Sequence, residues 1–135
     1  MAGCPAPAEF GMDATSTQGT EVRYWLKWTN TNATSPTLPT SASQGVTSVT
    51  YSATGVLTIV LQNNCYQYLM VRGEVQQASY NASTGACRIR PVSQDPTTAT
   101  VVVTLENAAG TAVAGATGDV IMIEIVAQNS KTQMG

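Results

Sequence analysis

Two carboxylates held roughly 5 to 10 Å apart in a cleft are enough to hydrolyse a glycosidic bond, and this 135-residue chain has eight acidic residues to choose from. They are scattered singly. Those inside alternating apolar–polar stretches, Glu74, Glu106 and Glu124, fall on outward positions, with Arg72, Arg88 and Arg90 on neighbouring stretches. The expectation is a surface ladder of ion pairs, the ordinary use of opposite charges across strands. Histidine is absent, which removes the commonest general base and the commonest zinc ligand. Ser-His-Asp and Cys-His arrangements go with it. Asp95 and Asp119 are single loop acids, whereas a calcium loop needs several oxygen ligands at close spacing. The stretch GTAVAGATGD has glycines but lacks the Lys-Ser/Thr pair and the strand-to-helix setting that let a loop cradle phosphate. The chain is therefore read as a non-enzyme with no catalytic residue, no metal, no cofactor and no small-molecule substrate.

Aromatic side chains are the other candidates for contact. In YWLKW, Tyr24 and Trp28 share parity with Val22 and Leu26 and fall on the core side, while Trp25 stands between Arg23 and Lys27 on the polar side. A Trp flanked by basic residues is typical of a protein interface. Phe10, Trp25 and Trp28 are taken as interface candidates, since aromatics beside an arm are natural anchors.

The elements that must position these residues are strands. EVRYWLKWT, the two runs of VTSVTYSATGVLTIVLQNN joined by Ser52-Ala53-Thr54-Gly55, LMVRGEV, CRIRPV, TATVVVTLE and VIMIEIVAQN all alternate, and turn residues separate them. Leu69, Val71 and Val75 are expected inward in the fourth of these, with Met70, Arg72 and Glu74 outward. Pro91 marks a strand end or a sheet edge. About seven strands at short spacing, with no helical period, give an all-β domain: an antiparallel β-sandwich or small, jelly-roll-like barrel over residues 21–135. Residues 1–20, small, polar and rich in Pro and Gly, are expected to form an extended arm. The Ser/Thr/Pro-rich connection 29–44 is long enough to suggest a contact segment.

Composition narrows the partners. Six basic residues against eight acidic ones give a net charge of −2, unsuited to gripping phosphates or an anionic membrane surface. No apolar run reaches the length of a membrane-spanning helix, and MAGCPAPAEFG has neither the basic nor the apolar region of a secretion signal. The expectation is a chain that stays where it is made, with Cys4, Cys65 and Cys87 as thiols. A Cys65–Cys87 bridge would require their strands to lie side by side.

The order of segments resembles small virion proteins of tailed bacteriophages. The pattern is carried by Gly55–Leu61 leading into Asn63-Asn64 and the aromatic turn Tyr66–Leu69, then by the loop Asn107–Ala112 before a final apolar strand, Val120–Ser130. It spans about residues 46 to 130. The resemblance implies a capsid cement or decoration protein, made in the host cytoplasm, that trimerises and clamps neighbouring major capsid subunits on the outside of the head. A receptor- or carbohydrate-binding β module of a tail fibre or adhesin is the alternative.

Overall fold

Period-2 alternation of β-branched and aliphatic residues puts the chain into strands rather than helices. The computed structural model describes residues 21–31, 45–81 and 83–128; the 1–20 arm, its Phe10 and Cys4, and most of the 29–44 connection lie outside them. Seven strands form: β1 (Glu21–Thr29), β2 (Val46–Ala53), β3 (Val56–Leu61), β4 (Gln67–Gln76), β5 (Arg88–Asp95), β6 (Thr100–Glu106) and β7 (Val120–Gln128). They make two antiparallel sheets, ordered β1-β7-β4 and β2-β3-β6-β5. The architecture is the all-β sandwich expected from the alternation.

The inner faces meet in one apolar layer. Tyr24, Leu26 and Trp28 of β1 and Ile121, Ile123 and Ile125 of β7 pack against Val49, Leu57, Ile59, Leu61, Val101, Val103 and Leu105 of the other sheet. Each fully buried aliphatic or aromatic side chain here contributes about 1.5–3 kcal/mol relative to exposure. At one edge β4 closes onto β5. Gly73 is required there, since a Cβ would stand 2.6 Å from the Met122 carbonyl oxygen and 2.7 Å from Ile89 Cδ1.

Turns place the rest. Gly55 takes a φ of 71° in the β2–β3 turn, where a Cβ would meet the Val113 backbone at 2.7 Å, a position open to glycine alone. Pro91 sits within β5, the edge strand of the four-stranded sheet, beside a register shift at Pro91/Ser93. A β-bulge between Tyr68 and Met70 corrects the inward placing of Leu69. The extra residue turns Leu69 out to 46% exposure and puts Tyr68 inward against the core.

The strand order is that of an immunoglobulin-type sandwich, A-B-E-D over C-F-G, with β2 to β7 as A to F and β1 in the place of G. It is nearer to this than to the jelly roll, which pairs four strands with four. The strand in the last place of that order is the first in this chain. Consequently β1 ends beside Val120 and Gln76, while β2 starts at the opposite end of the sandwich, next to Leu61. The length of the 29–44 connection is what this return demands.

Candidate functional site

On the outer face of the three-stranded sheet, β-register sets three rows: Arg23–Val126–Met70, Trp25–Glu124–Arg72 and Lys27–Met122–Glu74. Alternation sends these side chains away from the core, and the pairing brings residues far apart in the chain into contact. Glu124 is the hub. Its Oε2 accepts from Arg23 at 3.0 Å and its Oε1 from Arg72 at 2.7 Å. Partial burial pushes the carboxyl's pKa up, but the two arginines outweigh it and hold it below the usual range.

Trp25, Lys27, Met122, Arg72, Glu74 and Glu124 line an open concavity of about 520 Å³. Trp25 is 47% exposed on its rim, and Met70 and Leu69 are also exposed, on β4 at the other edge of the sheet. Glu74 and Glu124 thus share one hollow, which strand parity alone did not reveal. Both Glu124 oxygens are already engaged by guanidinium groups, so Glu124 acts as a fixed anion that orders the arginines around it.

Glu106 needs a different account. It faces outward from the four-stranded sheet, as alternation requires, yet it is only 1% exposed. Arg88 and Arg90 both donate to it, Thr104 Oγ1 lies 3.3 Å from its Oε2, and Ala112 pairs with it across the returning loop. The Arg90 and Arg88 hydrogen bonds lower its pKa. The ion pairs expected from the sequence form, but at this position as a covered cluster.

Of the three aromatic candidates, Trp25 alone lies on the described surface. Trp28 is corrected: it is 2% exposed inside the core, with its Nε1 buried and unpartnered. Residues of equal parity on a regular strand share a face, so Trp28 goes where Leu26 goes. Phe10 lies outside the described residues. Cys65 and Cys87 are free thiols. They precede β4 and β5, which start at opposite ends of the sandwich, so a bridge is out of reach. Burial pushes the Cys65 thiol up and, with Cys65 beside it, the phenols of Tyr24 and Tyr68.

A polar latch at the far end of β1 escaped the sequence reading. Asn30 Nδ2 donates to the carbonyls of Gly115 and Ala116 at 2.7 and 3.1 Å, and its Oδ1 accepts from Tyr51 Oη at 2.6 Å. Buried Asp119 accepts from the backbone N–H groups of Ala78 and Ala116. Asp119, a lone loop acid in the sequence, is a clasp between β4, β7 and the preceding loop.

Among the described residues no group of His, Cys, Asp and Glu is placed to hold a metal ion, and no helix is long and apolar enough to cross a membrane. The outer face of the three-stranded sheet is the candidate site. Comparisons with protein-family models, curated proteins and solved structures found no match for the chain.

Proposed function

We propose that this chain is a structural virion protein, a cement or decoration protein that binds the major capsid protein on the outer surface of a phage head and does so as a homotrimer. The observation that carries this reading is the Trp25 face, with an exposed Trp on the rim of a hollow that Met122 shares with Lys27, Glu74 and the paired charges of Arg72 and Glu124. An exposed Trp among arginines is the kind of anchor on which protein-binding hot spots are built. The segment pattern over residues 46–130 supplies the virion context. Weak individual contacts suffice on a capsid, because linked copies bind a lattice with high effective concentration.

The test is occupancy on heads purified from the phage that encodes the chain and stripped of it. Trp25→Ala should retain the near-ultraviolet circular dichroism of the folded chain and bind heads at least tenfold more weakly, the loss expected of a hot spot. Undiminished binding by this variant would overturn the assignment of the face, and absence of the chain from intact particles would overturn the virion reading.

The same concavity supports a second reading, a carbohydrate-binding module, because an exposed Trp next to fixed polar groups can stack on a sugar ring. Saturable quenching of Trp25 fluorescence by a polysaccharide, lost in Trp25→Ala, would favour it over the capsid reading.

A further inference from the structure

β1 is the strand whose place in the sheet and place in the chain disagree. From β2 to β7 the strands follow one another through connections 54–55, 62–66, 77–87, 96–99 and 107–119, and by themselves they build all of the sandwich except one edge. β1 fills that edge, and only the segment 30–45 ties it to the others. The two ends of that segment lie at opposite ends of the sandwich.

What holds β1 is recognition of a strand. Its ladder to β7 runs without a register shift from Glu21↔Gln128 to Thr29↔Val120, whereas the β2–β3, β4–β7 and β5–β6 ladders are each interrupted. Alternate side chains Tyr24, Leu26 and Trp28 fill core pockets. Asn30 then fixes the register. Its N–H donates to the Asp119 carbonyl at 2.7 Å, its carbonyl accepts from Gly118 at 2.9 Å, and its side chain reaches Gly115, Ala116 and Tyr51. Main-chain bonds for affinity, pockets for alternate residues and a terminal lock are the means by which a sheet edge captures an added strand.

We propose that residues 21–30 are an exchangeable strand, which leaves its own sandwich and completes that of a second copy of this chain. None of the contacts above depends on which copy supplies the strand. A vacated slot exposes the β7 edge and uncovers Ile121, Ile123 and Ile125, so it must be refilled. The tether favours the chain's own strand in dilute solution, but copies packed side by side offer a neighbour's strand at comparable effective concentration. Copies that pass the strand in one direction close into a ring, and two that trade strands close into a dimer. The inference concerns self-association and does not depend on the virion reading.

Cross-linking across the β1–β7 ladder tests it. In the full chain carrying Cys4→Ser, Cys65→Ser and Cys87→Ser, the substitutions Lys27→Cys and Met122→Cys introduce one thiol each at an opposed, outward-facing pair. Both in one chain serve as the geometric control, with Arg23→Cys and Val126→Cys as the second pair if the first does not close. The two single variants are then co-expressed and oxidised at high protein concentration. Exchange gives a disulfide-linked species of twice the 14.1 kDa chain mass that contains one copy of each variant. Closure of the control within single chains, together with no mixed species from the co-expressed pair, would overturn the proposal. The docking assignment of Trp25 would be untouched by that result.

Discussion

Replacing Asn30 by Ala should be among the most damaging changes of a polar residue in this domain. The side chain is 1% exposed and is held by hydrogen bonds at 2.6, 2.7 and 3.1 Å. Each is worth about 1 kcal/mol net, and buried partners left dry add a desolvation cost of about 1–3 kcal/mol. Allowing for water entering beside the partly exposed Tyr51, the loss comes to about 2–4 kcal/mol. A urea slope of about 2 kcal/mol per molar converts that into a midpoint shift of about 1–2 M, read by fluorescence of the two tryptophans. Tyr51→Phe removes the hydrogen bond to Asn30 Oδ1 and should cost about 1 kcal/mol. The double variant should fall short of additivity by a similar amount, the signature of a shared bond. Asn30→Asp sharpens the test: it keeps an acceptor for Tyr51 but turns an anion toward two carbonyl oxygens. It should be unstable at neutral pH and recover as pH falls and the acid regains a donor proton. If Asn30→Ala shifts stability by less than about 0.5 kcal/mol, within the range of ordinary surface substitutions, the latch is not what fixes the end of β1.

Three further outcomes follow from the same geometry. Gly73→Ala must displace either the Met122 carbonyl or Ile89 and should cost about 1–3 kcal/mol by overpacking, measured in the same urea series. Burial raises the phenol pKa of Tyr24, Tyr51 and Tyr68, with Tyr51 pushed up to about 12. These groups therefore stabilise the fold fully below 10.0, the ordinary phenol value, and that contribution fades as pH rises through the folded values. The tyrosinate absorbance of these three should appear together with loss of near-ultraviolet circular dichroism; ionisation of all five tyrosines with the fold intact would contradict it. Glu106 and Glu124 have depressed values, so their contribution is fully present above 4.5, the ordinary carboxyl value, and is lost as pH falls below it. Glu106→Gln should flatten the acid limb of the stability profile.

Alternation located all seven strands, and it placed Trp25 correctly because parity needs only local sequence. It could not say what covers an outward residue. Glu106 is outward by parity and buried in fact, because two arginines on β5 and a loop returning from Ala112 close over it. Leu69 departs from the alternation because a bulge inserts one residue without a mark in composition. The latch partners Asn30, Tyr51 and Asp119 belong to different strands and loops, and no local pattern joins them. Read as a contact segment for its length alone, the 29–44 connection has a topological reason, since β1 and β2 run in the same direction in different sheets.

The two outer faces differ. Ser48, Thr50, Thr58, Val60, Thr100 and Val102 give the four-stranded sheet an uncharged stretch that ends at Glu106 and its two arginines, while on the other sheet the paired charges around Glu124 occupy the middle strand. An ion cluster that is already paired suits a docking face, because Arg23 and Arg72 need not be reorganised when a partner covers them. β1 serves both sides of its sheet at once: its even-numbered residues from Tyr24 to Trp28 close the core, and Trp25 between them stands on the proposed docking face. Exchange of β1 would consequently hand one copy's Trp25 to the surface of another, so that each copy docks through its neighbour's strand and partial occupancy of a lattice becomes cooperative. A Trp25→Ala chain mixed with wild type would then weaken the binding of both.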